Sequence, residues 1–250
     1  MPQRLTPCLL ACALLAASAG AHAGCNDPAA RRVNWVGCAR VGAQLEGAEL
    51  RDAVLVQVDF TDARLGGAAL DNADFGRAVL TRAALGGARL SGARFVSTLL
   101  DGARFDEATL SRARLERAKG KAVSFARARL DGANLYQAEL PGADFSGADL
   151  GGARLDQAVL DGARFDGATL AAATLTRSSL EGASLRDAML KGARLEAADL
   201  EGSDLSGADL TEAYLVGARL DGARLDGARL DSAIWTDRRR CRPGSVGRCD

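Results

Sequence analysis

The sequence predicts an all-β solenoid, a tube of short extended segments joined by corners. Three observations carry this: an unbroken five-residue period over residues 41–235, apolar side chains two apart inside each block, and phenylalanines that recur every 20 residues. The composition agrees. Aromatic residues make up 4% of the 250, too few for an ordinary globular core of that length, and such bias asks for a repeat search first.

In chain order, residues 1–23 read as a secretory signal peptide. Arg4 supplies the positive start, Leu9 to Ala17 a short apolar run, and Ala21-His22-Ala23 a small-x-small cleavage site. The run is too short to span a bilayer. The protein is therefore expected to be exported, periplasmic or secreted, with no transmembrane segment in the mature chain. Lipidation is the weaker expectation: Cys12 lies inside the apolar run, and Cys25 is preceded by His22 where a lipidation signal wants leucine.

Residues 24–40, with Cys25 and Cys38, are expected to form an N-terminal cap. Residues 236–250, with Cys241 and Cys249, are expected to form a C-terminal one. Four cysteines in an exported chain suggest disulfides with three possible connectivities. The two pairs lie at opposite ends of the chain, so local pairing, Cys25–Cys38 and Cys241–Cys249, is the natural choice.

Between the caps, residues 41–235 divide into 39 blocks of five without an insertion. The fifth position is Leu in 30 blocks, Phe in 7, Trp in 1 and Gly in 1; the third is Ala in 34. A helix cannot use this period, because five residues at 100° each carry the next leucine 140° away and no stripe forms. A strand places the third and fifth residues on one face. The next Ala follows after an odd step, so the chain must turn once per block to keep both inside. Gly and small polar residues at the first two positions suit such corners.

Blocks such as Gly147-Ala148-Asp149-Leu150 and Gly132-Ala133-Asn134-Leu135 resemble the A-(D/N)-L-x-x signature of pentapeptide-repeat proteins. The resemblance implies a right-handed quadrilateral β-helix with four blocks, hence 20 residues, per coil, and about ten coils here. One departure stands out. The residue before Leu or Phe is often Arg, as at Arg64, Arg89, Arg104, Arg154 and Arg224, where the family has Asp or Asn. The spacing of Phe105, Phe125, Phe145 and Phe165, and of Phe75 and Phe95, fits the 20-residue coil. Trp35 and Trp235 share the fifth-position register and read as plugs at the two ends of one face. The stretches Val33 to Cys38 and Trp235 to Cys249 resemble the entry and closure of exported members. A solenoid needs such caps because its ends leave unpaired edges and open core.

Little in the sequence carries catalysis. His22 is the sole histidine and falls in the signal, which excludes histidine-based triads and metal sites from the mature chain. No phosphate-binding glycine motif is present. Arg-Leu-Asp triplets set opposite charges side by side, which neutralises rather than shifts a pKa. The expectation is no enzyme and no cofactor.

One irregularity offers a candidate site. Gly120 stands in a core leucine position between Lys119 and Lys121, with Arg112, Arg114, Arg117, Arg127 and Arg129 nearby and Glu116 as the one acid over 112–129. On a 20-residue coil these spread as a basic girdle, and the missing leucine is expected to leave a void or a dent. The function expected is a non-catalytic exported scaffold that presents a rigid surface to an envelope protein or anionic component. The alternative is binding of an anion, glycan or lipid at the girdle. Some relatives mimic DNA and protect topoisomerases; that needs a strongly acidic surface. Removing Arg4 leaves 31 basic against 32 acidic residues, so no nucleic-acid role is expected. Oligomeric state is not readable from the pattern.

Overall fold

The computed structural model describes residues 24–250; the expected signal peptide, with its cleavage site and Cys12, lies outside the described residues. Each block contributes one bridging residue, its fourth, and the bridges stack in parallel at separations of 20 residues. They form four ladders. The first runs from Asn34 to Ile234, the second from Ala39 to Arg219, the third from Gln44 to Arg224 and the fourth from Glu49 to Arg229.

Backbone hydrogen bonding explains why the coil repeats so strictly. In a representative block, Leu150 N–H donates to Thr169 O at 2.7 Å in the next coil, and Asp149 N–H donates to Ala128 O at 2.9 Å in the previous one. Gly147 N–H also reaches the next coil, at Asp166 O, while Ala148 N–H closes the corner on Phe145 O. That leaves the first-position N–H. A fourth-position carboxylate or amide meets it, as Asp149 does for Gly151 at 3.0 Å and Asn134 does for Tyr136 at 3.1 Å. This Asx-type contact gives the family's Asp or Asn its reason. Where Thr, Ser or Lys stands at the fourth position instead, a first-position acid one coil back can serve, as Asp156 Oδ1 does for the Thr176 N–H that follows Thr174 and Asp101 Oδ1 for the Lys121 N–H that follows Lys119.

The second position is left-handed at every corner, whether Gly (Gly162, φ 62°) or not (Ala172, φ 55°; Arg177, φ 58°). Left-handed backbone there, with the corner hydrogen bond, is the signature of a type II turn and favours glycine.

Inside, third-position Ala and fifth-position Leu or Phe are buried through most of the tube. Phe105, Phe125, Phe145 and Phe165 stack at centroid distances of 5.0, 5.0 and 4.8 Å, and Phe75 stacks on Phe95 at 4.8 Å. Three hydroxyls replace the inward alanine and each finds a carbonyl: Thr98 on Phe75, Ser178 on Leu175, Ser203 on Leu200.

The void expected at Gly120 is absent. A Cβ added there would lie 2.8 Å from the Leu100 carbonyl carbon and from Val123 Cγ2. Val123 replaces the usual small alanine and leans into the space that leucine takes elsewhere, so the packing is exchanged rather than lost. What remains is a shallow outer depression of about 240 Å³ lined by Lys119, Gly120, Lys121 and Pro141 among others.

The two ends are closed unequally. Trp35 is fully buried, donates its indole N–H to Asp27 O at 3.2 Å, and carries the Arg40 guanidinium 3.9 Å above its ring. Cys25 and Cys38 stand at disulfide distance there (Cα–Cα 5.4 Å), as do Cys241 and Cys249 at the other end (4.8 Å). The C-terminal tail doubles back antiparallel over the fourth and first ladders, pairing Arg229 with Val246 and Ile234 with Arg240. Trp235 beneath it is partly buried. The second and third ladders have no such cover among the described residues, and Leu220, Ala223 and Leu225 are left partly exposed.

Candidate binding surface

Folding the chain regroups every outward residue with those 20 positions away, which changes the meaning of the charge pattern. The seven girdle residues encircle one coil. Arg114, Lys119 and Arg129 sit on the first, second and fourth ladders, and Arg112, Arg117, Lys121 and Arg127 on the four corners. The count of one acid against seven bases holds along the chain and fails in space. Glu107, one coil below, pairs with Arg127 at 2.7 Å, and Glu139, one coil above, pairs with Lys119 at 2.8 Å. Arg114 pairs with Glu116 at 3.0 Å. Arg117 donates to the neutral Gln137 amide oxygen at 3.2 Å. The depression beside Gly120 brings Lys119 and Lys121 together; Lys119 and Arg117 share another.

Charge is segregated along columns instead. The first ladder with its two flanking corners carries 12 basic and 9 acidic residues over 31–235; the third ladder with its corners carries 8 and 14. Near the first ladder the acids are tucked in and the arginines spread outward. Asp156 is 19% exposed and its partner Arg154 54%; Glu116 is 15% exposed and Arg114 48%. Arginine at the fourth position, the departure noted in the sequence, thus pairs with the acid two residues on, as at Arg104, Arg154 and Arg224, or with a first-position acid of the previous coil, as Arg64 does with Glu46 and Arg89 with Asp71. Each such surface pair contributes about 0–1 kcal/mol.

The first-ladder side also gathers the polar non-ionic groups. Both tyrosines, Tyr136 and Tyr214, lie there, with six of the seven Asn and Gln residues between 31 and 235: Asn34, Gln57, Asn72, Asn134, Gln137 and Gln157. Gln137 donates to Gln157 Oε1 at 3.0 Å, one coil away, and the Arg154 guanidinium lies 4.7 Å from the Tyr136 ring centre. Two depressions adjoin through Gln157. One, of about 290 Å³, is lined by residues including Tyr136, Arg154, Thr174, Thr176, Arg177 and Arg194. The other, of about 480 Å³, includes Ser97, Arg117, Gln137 and Val159. Sequence reading missed Tyr136, Gln157, Arg177 and Arg194 because they are far apart along the chain; comparing residues modulo 20 would have set Gln157 and Arg177 in one column, with Tyr136 and Arg194 in columns beside it.

Hydrogen bonding among the outer side chains reinforces charges already present. Hydrogen bonds from Ser206 and Arg186 hold the Asp204 carboxyl well below the usual carboxylate range. Hydrogen bonding to Arg31 and Asn72 lowers Asp52, and bonding to Arg82 lowers Asp62. Among the described residues no group of three or more His, Cys, Asp or Glu side chains could hold a metal ion, and no helix is long and apolar enough to cross a membrane.

Fold and surface together define a class: a β-helical solenoid whose backbone is committed to stacking and whose variable chemistry is all external. The chain belongs to the pentapeptide repeat family, whose family model matches residues 41–77, 59–95, 78–117, 124–162, 163–202 and 203–234. Among solved structures it is similar to HetL, a pentapeptide repeat protein involved in heterocyst differentiation regulation from the cyanobacterium Nostoc sp. strain PCC 7120. Identity is 32% over 84% of this chain and 92% of that one, with a TM-score of 0.48. It is also similar to trypsin-treated QnrB1, a plasmid-mediated fluoroquinolone resistance protein, at 19% identity over 79% of this chain and 91% of that one, TM-score 0.49. A pentapeptide repeat protein of the Arabidopsis thaliana thylakoid lumen matches at 32% identity over 46% of this chain and 66% of that one, TM-score 0.25. No curated protein matches the chain.

Proposed function

We propose that the protein is an exported, non-catalytic scaffold: a right-handed rod of about ten coils, closed at each end by a local disulfide, that binds an envelope partner through its outer faces. The observation that carries this reading is the division of labour within each block. The third and fifth positions serve the core, the second sets the corner through its left-handed backbone, and the side chains at the first, second and fourth positions vary along the rod. A surface varied on a rigid frame suits recognition, since little conformational freedom is left to lose on binding. The Ala21-His22-Ala23 site supports export and a mature start near Gly24. Intact mass and non-reducing peptide mapping of protein recovered from the periplasm test this part: two closed cysteine pairs are expected, and four alkylatable thiols would refute the capped reading. Affinity capture from a periplasmic extract tests the scaffold itself, with a specific envelope component retained as the expected result.

A second reading places an acidic partner at the girdle, and the depression between Lys119 and Lys121 favours it. Reversing Arg117, Lys119 and Lys121 to Glu should leave the fold intact, because all three are outward or corner residues. It should weaken binding of the captured component, and the wild-type binding should fall with salt. Full affinity in the triple variant would end the girdle reading.

A further inference from the structure

We propose that the first-ladder side, from Arg117 to Arg194, binds an acidic glycan strand laid along the rod axis. This rests on the reading of the protein as a binding scaffold and names the face and the ligand class. The site is the trough made by the two depressions that meet at Gln157.

Its lining has the chemistry of sugar recognition. Gln137, Gln157, Thr174 and Thr176 present amide groups and hydroxyl oxygens that match sugar hydroxyls, the threonine hydroxyls donating to Asp156 (2.8 Å) and Glu196 (3.5 Å), and Tyr136 presents an aromatic edge and a phenol that donates to Gln157. The Arg154 stack and the Arg154–Asp156 pair at 3.0 Å hold that ring in place before any ligand arrives. Two cations stand ready for ligand anions. Among the described residues Arg177 makes no ion pair, and Arg117 meets only the neutral Gln137 amide. They occupy the same corner column three coils apart, roughly 14 Å at a strand spacing of about 4.8 Å. A carboxylate at each end of a short oligosaccharide would meet both.

Geometry favours a linear polymer. Coils repeat at about 4.8 Å, close to the advance of one residue in an extended 1,4-linked pyranose chain, so successive sugars fall opposite successive coils. An acidic peptide fits less well: the trough holds amides and hydroxyls where side-chain pockets would be needed, and two of its four arginines, Arg154 and Arg194, are already paired. The opposite side of the rod, with 14 acidic residues, would repel a polyanion, which restricts the ligand to one face.

The test is titration calorimetry of the full chain with a 1,4-linked galacturonate hexamer, the neutral 1,4-linked glucose hexamer and hexaglutamate. Saturable binding of the galacturonate is expected, stronger than the other two and weakened by salt. Arg117→Ala and Arg177→Ala should each lower affinity about tenfold, as for loss of one charge-assisted hydrogen bond. Gln157→Ala should lower it less, and Arg164→Ala on the third ladder should leave it unchanged, with thermal melts confirming that every variant is folded. Equal affinity for hexaglutamate would show a peptide-type acidic surface and overturn the assignment, as would equal losses in Arg164→Ala and Arg177→Ala. If none of the three ligands binds while the rod still captures an envelope protein, the glycan assignment falls and the scaffold reading stands; if nothing is captured either, both fall.

Discussion

The first-ladder and third-ladder sides of the rod share one backbone and differ in almost everything outside it. Arg154 N–H meets Ala133 O at 2.9 Å on one side, and Arg164 N–H meets Ala143 O at 2.9 Å on the other. Beneath them Leu155 and Phe165 are equally buried. Outside, one side gathers arginine, amides and tyrosine; the other gathers aspartate, glutamate and glycine. Two columns of unlike chemistry on an invariant coil teach that the stacking code leaves the outer positions free, so stability and surface chemistry are written largely in different residues.

The largest effect that could break this comparison lies in the core. Leu155→Asp beneath the first ladder and Leu185→Asp beneath the third each place a carboxylate in a closed apolar tube. Both should cost several kcal/mol unless the acid protonates. Denaturant melts check this, and a large loss on one side alone would mean that the sides do not share a single core.

Corners should respond at an intermediate level and with opposite signs. Gly162→Ala meets open space, so its cost, about 1 kcal/mol, should come from left-handed strain alone. Ala172→Gly, at an equivalent corner, should stabilise by a somewhat smaller amount, because glycine also gains freedom in the unfolded chain.

Outer charges should matter least to folding. Arg154→Ala and Arg164→Ala should each cost less than about 1 kcal/mol, since both belong to exposed pairs. Asp204, on the third ladder, sharpens the comparison through pH. Its carboxyl is depressed in the folded state, so its stabilising effect is complete above the ordinary aspartate value of about 3.9 and is lost as pH falls through the lower folded-state value. Melts between neutral and acid pH should therefore show a loss on acidification that Asp204→Asn reduces.

How much of this was legible follows from distance along the chain. The corner, the inward pair and the Arg-Leu-Asp ion pair are contained within a few residues, so periodicity exposes them. The phenylalanine stack was legible too, because identical residues 20 apart announce the coil. The girdle illustrates the limit. Glu107 and Glu139 neutralise Arg127 and Lys119 from neighbouring coils, and a count along 112–129 passes over both. Gly120 is similar: its missing side chain is compensated by Val123 and Leu100, the latter a full coil away.

By itself, then, the sequence determined the solenoid, its period and the identity of its inward residues, because burial and turn geometry act within each five-residue block. Tertiary structure decided which outward residues become neighbours. Coil stacking joins positions 20 apart, and only that contact gathers Arg117, Gln137, Gln157 and Arg177 into one column while leaving the acids of the third ladder on the other side of the rod.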